Sequence, residues 1–132
     1  MRVLLDTNVV LSAILTDGPP RALLTSVLRG ERELVTSPFL LDELEELLVR
    51  KFGFSADAAR ATRAELEALA RVVHPTAIPN VCRDEDDNHV LAAAVAGAAQ
   101  LLVTGDHDLR ALGGHEGIPI VTPAEALAGG AP

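Results

Sequence analysis

Five short apolar runs punctuate the chain, at residues 3–5, 34–36, 72–73, 101–103 and 118–121. They are built of Leu, Val and Ile with little polar alternation. Strands of that kind are buried on both faces, which is the condition of a parallel sheet covered by helices. Parallel neighbours need a crossover, usually helical, and the segments between the runs supply it. Residues 9–15 and 21–28 read as helices, separated by the breaker Asp17-Gly18-Pro19-Pro20. Ser37 and Pro38 give an N-cap and a first-turn proline for a helix to about Lys51, and Ser55 caps another to about Ala70. A helix starts near Asp84–Asp87 and runs to about Ala99. A short helical turn covers 108–112, and Thr122-Pro123 opens a last helix through Leu127. The expected fold class is therefore α/β, a parallel five-stranded sheet with helices on both faces. One domain is expected over residues 1–127, with 128–132 as a flexible tail.

The chain has 132 residues, 48% of them apolar. A domain of this size buries roughly two-thirds of its chain surface, so it needs neither disulfides nor a structural metal. The single cysteine, Cys82, rules out a disulfide framework and a cysteine-based zinc site, and suits a reducing cytoplasm. Asp6 interrupts the apolar start, so no secretory leader is expected. The longest near-apolar run, 90–103, falls short of the roughly 18–20 residues that cross a bilayer. Eleven basic residues face nineteen acidic ones, net −8. That balance argues against a basic nucleic-acid cradle. With no Trp, no Tyr and three Phe, stacking of bases on aromatic rings is nearly unavailable.

In open parallel sheets, ligands gather beyond the carboxyl ends of the strands. Asp6 ends the first run and Asp106 follows the fourth. Asp87 opens the helix after the third, and Glu43 lies in the helix after the second. Helical spacing sets Leu40, Leu44, Leu47 and Leu48 as a buried stripe flanked by Glu43, with Asp42 and Glu45 pointing away. Asp87 is in register with Val90, Leu91, Ala94 and Ala98, while Asp86 and Asn88 lie about 100° to either side. Taken singly, each acid has an ordinary explanation. Asp6 makes an Asx turn, Asp84 and Asp87 cap a helix, Glu43 is a surface residue beside Arg50, and Asp106 and Asp108 form a turn. Taken together they send acids from four βα units to one edge. Unpaired carboxylates within ~6 Å repel, and a hard divalent cation with oxygen ligands relieves that. Without Asp6, Glu43, Asp84, Asp87, Asp106 and Asp108, 13 acids face 11 bases. The excess acidity is concentrated at the candidate site.

These residues, in this order, resemble the PIN-domain ribonucleases over about residues 2–126. The motifs are Leu5-Asp6-Thr7-Asn8-Val9, Glu43 within Leu40-Leu41-Asp42-Glu43-Leu44, Asp87 within Asp84-Glu85-Asp86-Asp87-Asn88-His89, and Val103-Thr104-Gly105-Asp106-His107-Asp108-Leu109. The Gly18-Pro19-Pro20-Arg21 turn, the Arg50-Lys51-Phe52 helix end and the Thr-Gly-Asp block resemble a bacterial branch of toxins from toxin–antitoxin pairs. The resemblance implies a Rossmann-like three-layer α/β/α sandwich with strand order 3-2-1-4-5. It also implies cleavage of single-stranded or structured RNA dependent on Mg²⁺ or Mn²⁺. Asp6, Asp87 and Asp106 would hold the metal, with Glu43 binding directly or through water. Thr7, Asn8 and Thr104 would orient carboxylates and waters, and Asp84 and Asp108 would support or touch the metal. Arg21 and Arg50 are candidate RNA contacts. A small antitoxin protein and a homodimer are the implied partners, with no membrane. Outside the site, His89 and His107 read as exposed histidines, His74 and His115 as surface residues, Cys82 as a buried filler, and Phe52 and Phe54 as core.

Two other readings fit an acidic α/β pocket. A non-catalytic PIN fold would bind RNA or protein without metal-dependent cleavage. A receiver-like Mg²⁺-binding signalling domain wants a phosphorylatable Asp after strand three, where His74-Pro75 stands, and a lysine after strand five, where none follows. A phosphatase with an Asp-x-Asp nucleophile motif is disfavoured by Asn8 at its second acidic position.

Overall fold

The computed structural model describes residues 1–129. Along the chain run β1 (Arg2–Leu5), α1 (Thr7–Leu15), α2 (Pro19–Leu28), β2 (Glu33–Thr36) and α3 (Pro38–Arg50). There follow α4 (Ala56–Leu69), β3 (Arg71–Val72), α5 (Glu85–Ala96) and β4 (Leu101–Val103). The last elements are α6 (His107–Leu112), β5 (Gly114–His115), β6 (Ile118–Val121) and α7 (Pro123–Leu127). The sheet order is β3-β2-β1-β4-β6-β5. The five expected strands are all parallel and stand in the expected order. The sixth is an addition: β5 lies antiparallel to β6 at the edge. Its turn takes positive φ at Glu116 (47°) and Gly117 (81°), as a two-residue type I′ hairpin requires. Glu at the first turn position carries none of the Asn-Gly or Asp-Gly signal that would have marked it. The tail expected at 128–132 falls, from residue 130 on, outside the described residues.

Local chemistry sets the element ends. Asp6 accepts from the Thr7 amide at 2.8 Å, so α1 begins at Thr7, two residues earlier than its apolar spacing indicates. Ser37 and Ser55 cap α3 and α4 through the Leu40 and Ala58 amides, and Thr122 with Glu125 forms a capping box on α7. β3 starts one residue before the expected Val72, but the Val73 amide still donates to the Thr36 carbonyl at 2.9 Å.

Alternation along the strands feeds two cores. Val3, Leu5, Leu34, Leu101 and Val103 face one side, against Leu11, Leu23, Leu44, Leu48, Leu66 and Ala126 of α1, α2, α3, α4 and α7. Leu4, Val35, Leu102 and Ile120 face the other, against Val90, Leu91, Ala94 and Leu109 of α5 and α6. The result is a three-layer sandwich with β1 buried on both faces. Phe54 packs on the first core, whereas Phe52, expected inside, is exposed just beyond α3. His115, expected at the surface, is half-buried within the hairpin, with Nε2 3.4 Å from a Glu116 carboxylate oxygen but outside hydrogen-bond geometry. Among the described residues, no helix is long and apolar enough to cross a membrane.

The end of α5 presses closely on β2. A Cβ at Gly97 would stand 2.3 Å from Val35 Cγ1, and Val35 is fully buried. Gly97→Ala should therefore destabilise by about 1–3 kcal/mol through overpacking. In a Val35→Ala background, where that methyl is absent, the same substitution should cost little. Urea melts of the four proteins measure the coupling, and equal costs in both backgrounds would exclude the contact as the cause.

Candidate functional site

The carboxyl ends of β1, β2 and β4 open on one edge of the sheet, where a cleft of about 130 Å³ lies. Asp6, Glu43, Asp84, Asp86, Asp87 and Asp106 line it, with Asn8, Leu47 and Val90. No Lys or Arg is among the lining residues.

Asp6 is only 7% exposed. Its Oδ1 accepts from the Thr7 amide and its Oδ2 from the Thr104 hydroxyl, each at 2.8 Å. Both oxygens are thus held, and the carboxylate cannot rotate freely. The Thr104 hydroxyl oxygen also accepts from the Asp106 amide at 2.9 Å, so one buried threonine ties the ends of β1 and β4 together. Asp106 in turn accepts from the Leu109 amide at 2.9 Å and caps α6. Asp84 caps α5 by accepting from the Asp86 amide at 2.9 Å. The capping expectation shared by Asp84 and Asp87 therefore belongs to Asp84, and Asp87 stands in the first turn facing the cleft.

Glu43 is separated from its acidic neighbours on α3 by what those neighbours bind. Glu46 pairs with Arg50 at 3.4 Å. Arg63 of α4 gathers Asp42, Glu45 at 3.2 Å and Glu67 at 2.8 Å. Those acids are partnered on the outer face, while Glu43, half-buried, turns to the cleft. Arg50 is thus not beside Glu43.

Burial is the largest push on every shifted acid here. It raises Asp6, offset by the bonds from Thr104 and Thr7 and reinforced by the charge of Asp106. It raises Glu43, where the nearby Thr7 hydroxyl offsets and Asp6, Asp86 and Asp84 reinforce. The Thr7 hydroxyl is buried and closes no hydrogen bond of ordinary length. Asp87 is pushed up to about 6, by burial first and then by Asp106, Asp84, Asp6 and Asp108. The amino ends of α1, α5 and α6 point at these charges and temper the repulsion.

The remaining candidates are placed as follows. Asn8 lines the cleft. Asp108 is exposed outside it, 3.8 Å from the exposed His107, although its charge still reaches Asp87. Arg21 is engaged elsewhere: its guanidinium donates to Asp17 and to the Ala13 and Ile14 carbonyls, closing the end of α1. His89 is half-buried and stacked on Phe39 rather than exposed. Cys82 is half-buried against the second core.

Two residues escaped the sequence reading. Asp86 lines the cleft from a position about 100° off the α5 stripe. Its proximity to Glu43 was not visible from one helix alone. Asn88 is buried, and its side chain accepts from the Val81 and Cys82 amides at 3.1 and 2.8 Å and donates to the Cys82 carbonyl at 3.2 Å. It staples the preceding segment to α5 and so fixes the first turn that carries Asp84, Asp86 and Asp87. Its partners lie outside the helix, so helical spacing alone carried no signal for this role.

The groups facing the cleft are the hard oxygen donors that suit Mg²⁺ or Mn²⁺. Among the described residues, no three acids already stand within joint reach of one ion. Asp6 and Asp106 are locked by hydrogen bonds, so closure would fall to Glu43 and Asp87.

A family model for the PIN domain matches residues 2–108. An uncharacterized protein of Methanocaldococcus jannaschii is 30% identical over 117 residues, covering 85% of this chain and 75% of that protein. Among solved structures, a chain of VapBC2 from Rickettsia felis, crystallised bound to a DNA fragment from the promoter, superposes with a TM-score of 0.65. It covers 92% of this chain and 98% of that one at 14% identity. That likeness is one of fold.

The Asp87 shift has a signed consequence. Its folded value, about 6, lies above the unfolded value of roughly 4. Stability from this group is full below pH ~4 and is lost as pH rises through about 6. Fully expressed, the shift would amount to ~3 kcal/mol; solvent access at Asp87 reduces it to about 1 kcal/mol. With EDTA present, Asp87→Asn should raise Tm by about 3–5 °C at pH 7 and leave it unchanged at pH 4. An equal change at both pH values would count against a charge origin.

Proposed function

The chain belongs to the PIN-domain family, and from that premise we propose that it is a divalent-metal-dependent endoribonuclease. We propose that it cuts single-stranded RNA, structured loops included, as the toxin of a type II toxin–antitoxin pair in the cytoplasm. The observation that carries the reading is the cleft itself: six carboxylates from four βα units, with no basic group among its lining residues. Stability alone gives no reason to collect buried and half-buried acids at one edge, since each addition costs desolvation and repulsion.

Asp6, Glu43, Asp87 and Asp106 are the residues that would hold Mg²⁺ or Mn²⁺. The bound ion would supply positive charge to acidify a water and steady the leaving 3′ oxygen of the phosphodiester. Thr104 and the Thr7 amide keep Asp6 in one orientation. The Leu109 amide does the same for Asp106, so half of the set is positioned in advance. Asp84 and Asp86 add negative potential at the rim. Asn8 offers an amide at the cleft wall that could orient substrate or water. Arg50 remains a candidate phosphate contact only if its pairing with Glu46 opens. That bond is exposed and therefore weak.

Toxin function is supported by the fold likeness to a VapBC2 chain, together with the motif blocks. The partner would be a small antitoxin presenting Arg or Lys to the acidic edge, and the chain itself would be a homodimer. Light scattering at micromolar concentration should return twice the monomer mass; a monomer would remove the dimer from the proposal.

The nuclease reading has a direct test. Purified protein with Mg²⁺ or Mn²⁺ should cut single-stranded RNA, and EDTA should abolish the cleavage. Asp6→Asn and Asp106→Asn should each lower the rate at least about 100-fold, some 2.7 kcal/mol of barrier. Cleavage indifferent to EDTA and to both substitutions would defeat the proposal. Binding of RNA without metal-dependent cleavage would instead favour the non-catalytic binding module.

A further inference from the structure

A second depression is lined, like the acidic cleft, by residues of α3 and α5. It measures about 380 Å³ and is walled by Phe39, His74, Pro75, Ile78 and His89. Its distinctive feature is a pair of rings: Phe39 and His89 stack face to face, centroids 4.0 Å apart and planes 7° from parallel. Both residues are half-buried, and Ile78 on the rim is 44% exposed. Two helices join this groove to the cleft. On α3, Phe39 lines the groove and Glu43, four residues on, lines the cleft. On α5, Asp86 lines the cleft and His89, three residues on, lines the groove. Residues three and four apart are neighbours on a helix surface, so on both helices a groove residue and a cleft residue lie about one turn, roughly 5 Å, apart.

We infer that the Phe39–His89 stack seats a base of the RNA strand next to the phosphodiester held at the acidic cleft. The inference rests on the nuclease reading above and adds the residues that position its substrate. A flat ring surface of this kind matches the π-face that every base has. The walls offer histidine ring nitrogens for base edges. They offer no Lys or Arg, which would favour a phosphate instead. The chain is poor in aromatic residues, yet one of its three Phe and one of its four His meet here. With a net charge of −8, the protein has little electrostatic hold on RNA. A stacking contact near the cleft supplies affinity that does not come from charge on the phosphates.

The test first maps the cut that wild-type protein makes in a short labelled RNA of mixed sequence with Mg²⁺ or Mn²⁺. Nucleotides around that cut are then replaced one at a time by abasic ones. At one position next to the cut, base removal should lower wild-type kcat/KM about tenfold, within what one stacked base contributes. On intact RNA, His89→Ala should cause a similar loss. The two losses should not multiply, because both remove the same contact. His89→Phe keeps a planar face and should retain both the activity and the abasic penalty. Ile78→Glu, at the exposed rim, places a like charge against the strand, so it should slow cleavage of intact RNA while leaving the stack and its abasic penalty in place. The inference is overturned if the abasic penalty multiplies undiminished with His89→Ala, or if both variants cut intact RNA as wild type does. If wild-type protein cuts no RNA, the nuclease reading falls and the base site falls with it.

Discussion

A carboxylate at the end of a fully buried central strand is tolerable only when its oxygens are bonded. Asp6 meets that condition through the Thr7 amide on one oxygen and the Thr104 hydroxyl on the other. The first bond starts α1 and the second joins the ends of β1 and β4. Because Thr104 also receives the Asp106 amide, one side chain sets the position of two acids. The edge of the sheet where the cleft lies is organised around this small buried network. The two hydrophobic layers behind it hold the network rigid.

The acids around that network divide by what else they do. Asp6, Asp84 and Asp106 are also N-caps, so each is stabilised by the amide end of a helix. Glu43 and Asp87 cap nothing and carry a raised pKa with less compensation. A site built in this way has a fixed part and an adjustable part. In the fixed part, helix amides and the Thr104 hydroxyl offset some of the cost of burial. The adjustable part is where local stability has been given up.

Much of this was legible in the sequence. Double-sided apolar runs gave the parallel sheet and its two helical layers, because burial on both faces leaves no other arrangement. Strand ends followed by Asp placed Asp6 and Asp106 at the edge where the cleft lies. What could not be read depends on contacts between distant elements. The β5 hairpin turns on positive φ at a glutamate, which has no compositional signature. Asp86 reaches the cleft only because α3 and α5 stand where they do. Asn88 looked like an ordinary helical residue, yet it staples the segment before α5. Crowding was expected to raise the acids, but burial is the larger cause, and burial depends on the whole fold. Composition shows how few aromatic rings there are but not that Phe39 and His89 meet in a stack.

The bond between Asp6 and Thr104 spans 98 positions of sequence, and β1 pairs with β4 only across that same separation. A chain emerging from the ribosome therefore displays Asp6 and Glu43 long before their partners exist. Until β4 arrives, β1 has one open edge and Asp6 lacks half of its hydrogen bonds. The cleft is a late product of translation, completed only when the long crossover through α5 delivers β4 and Asp106.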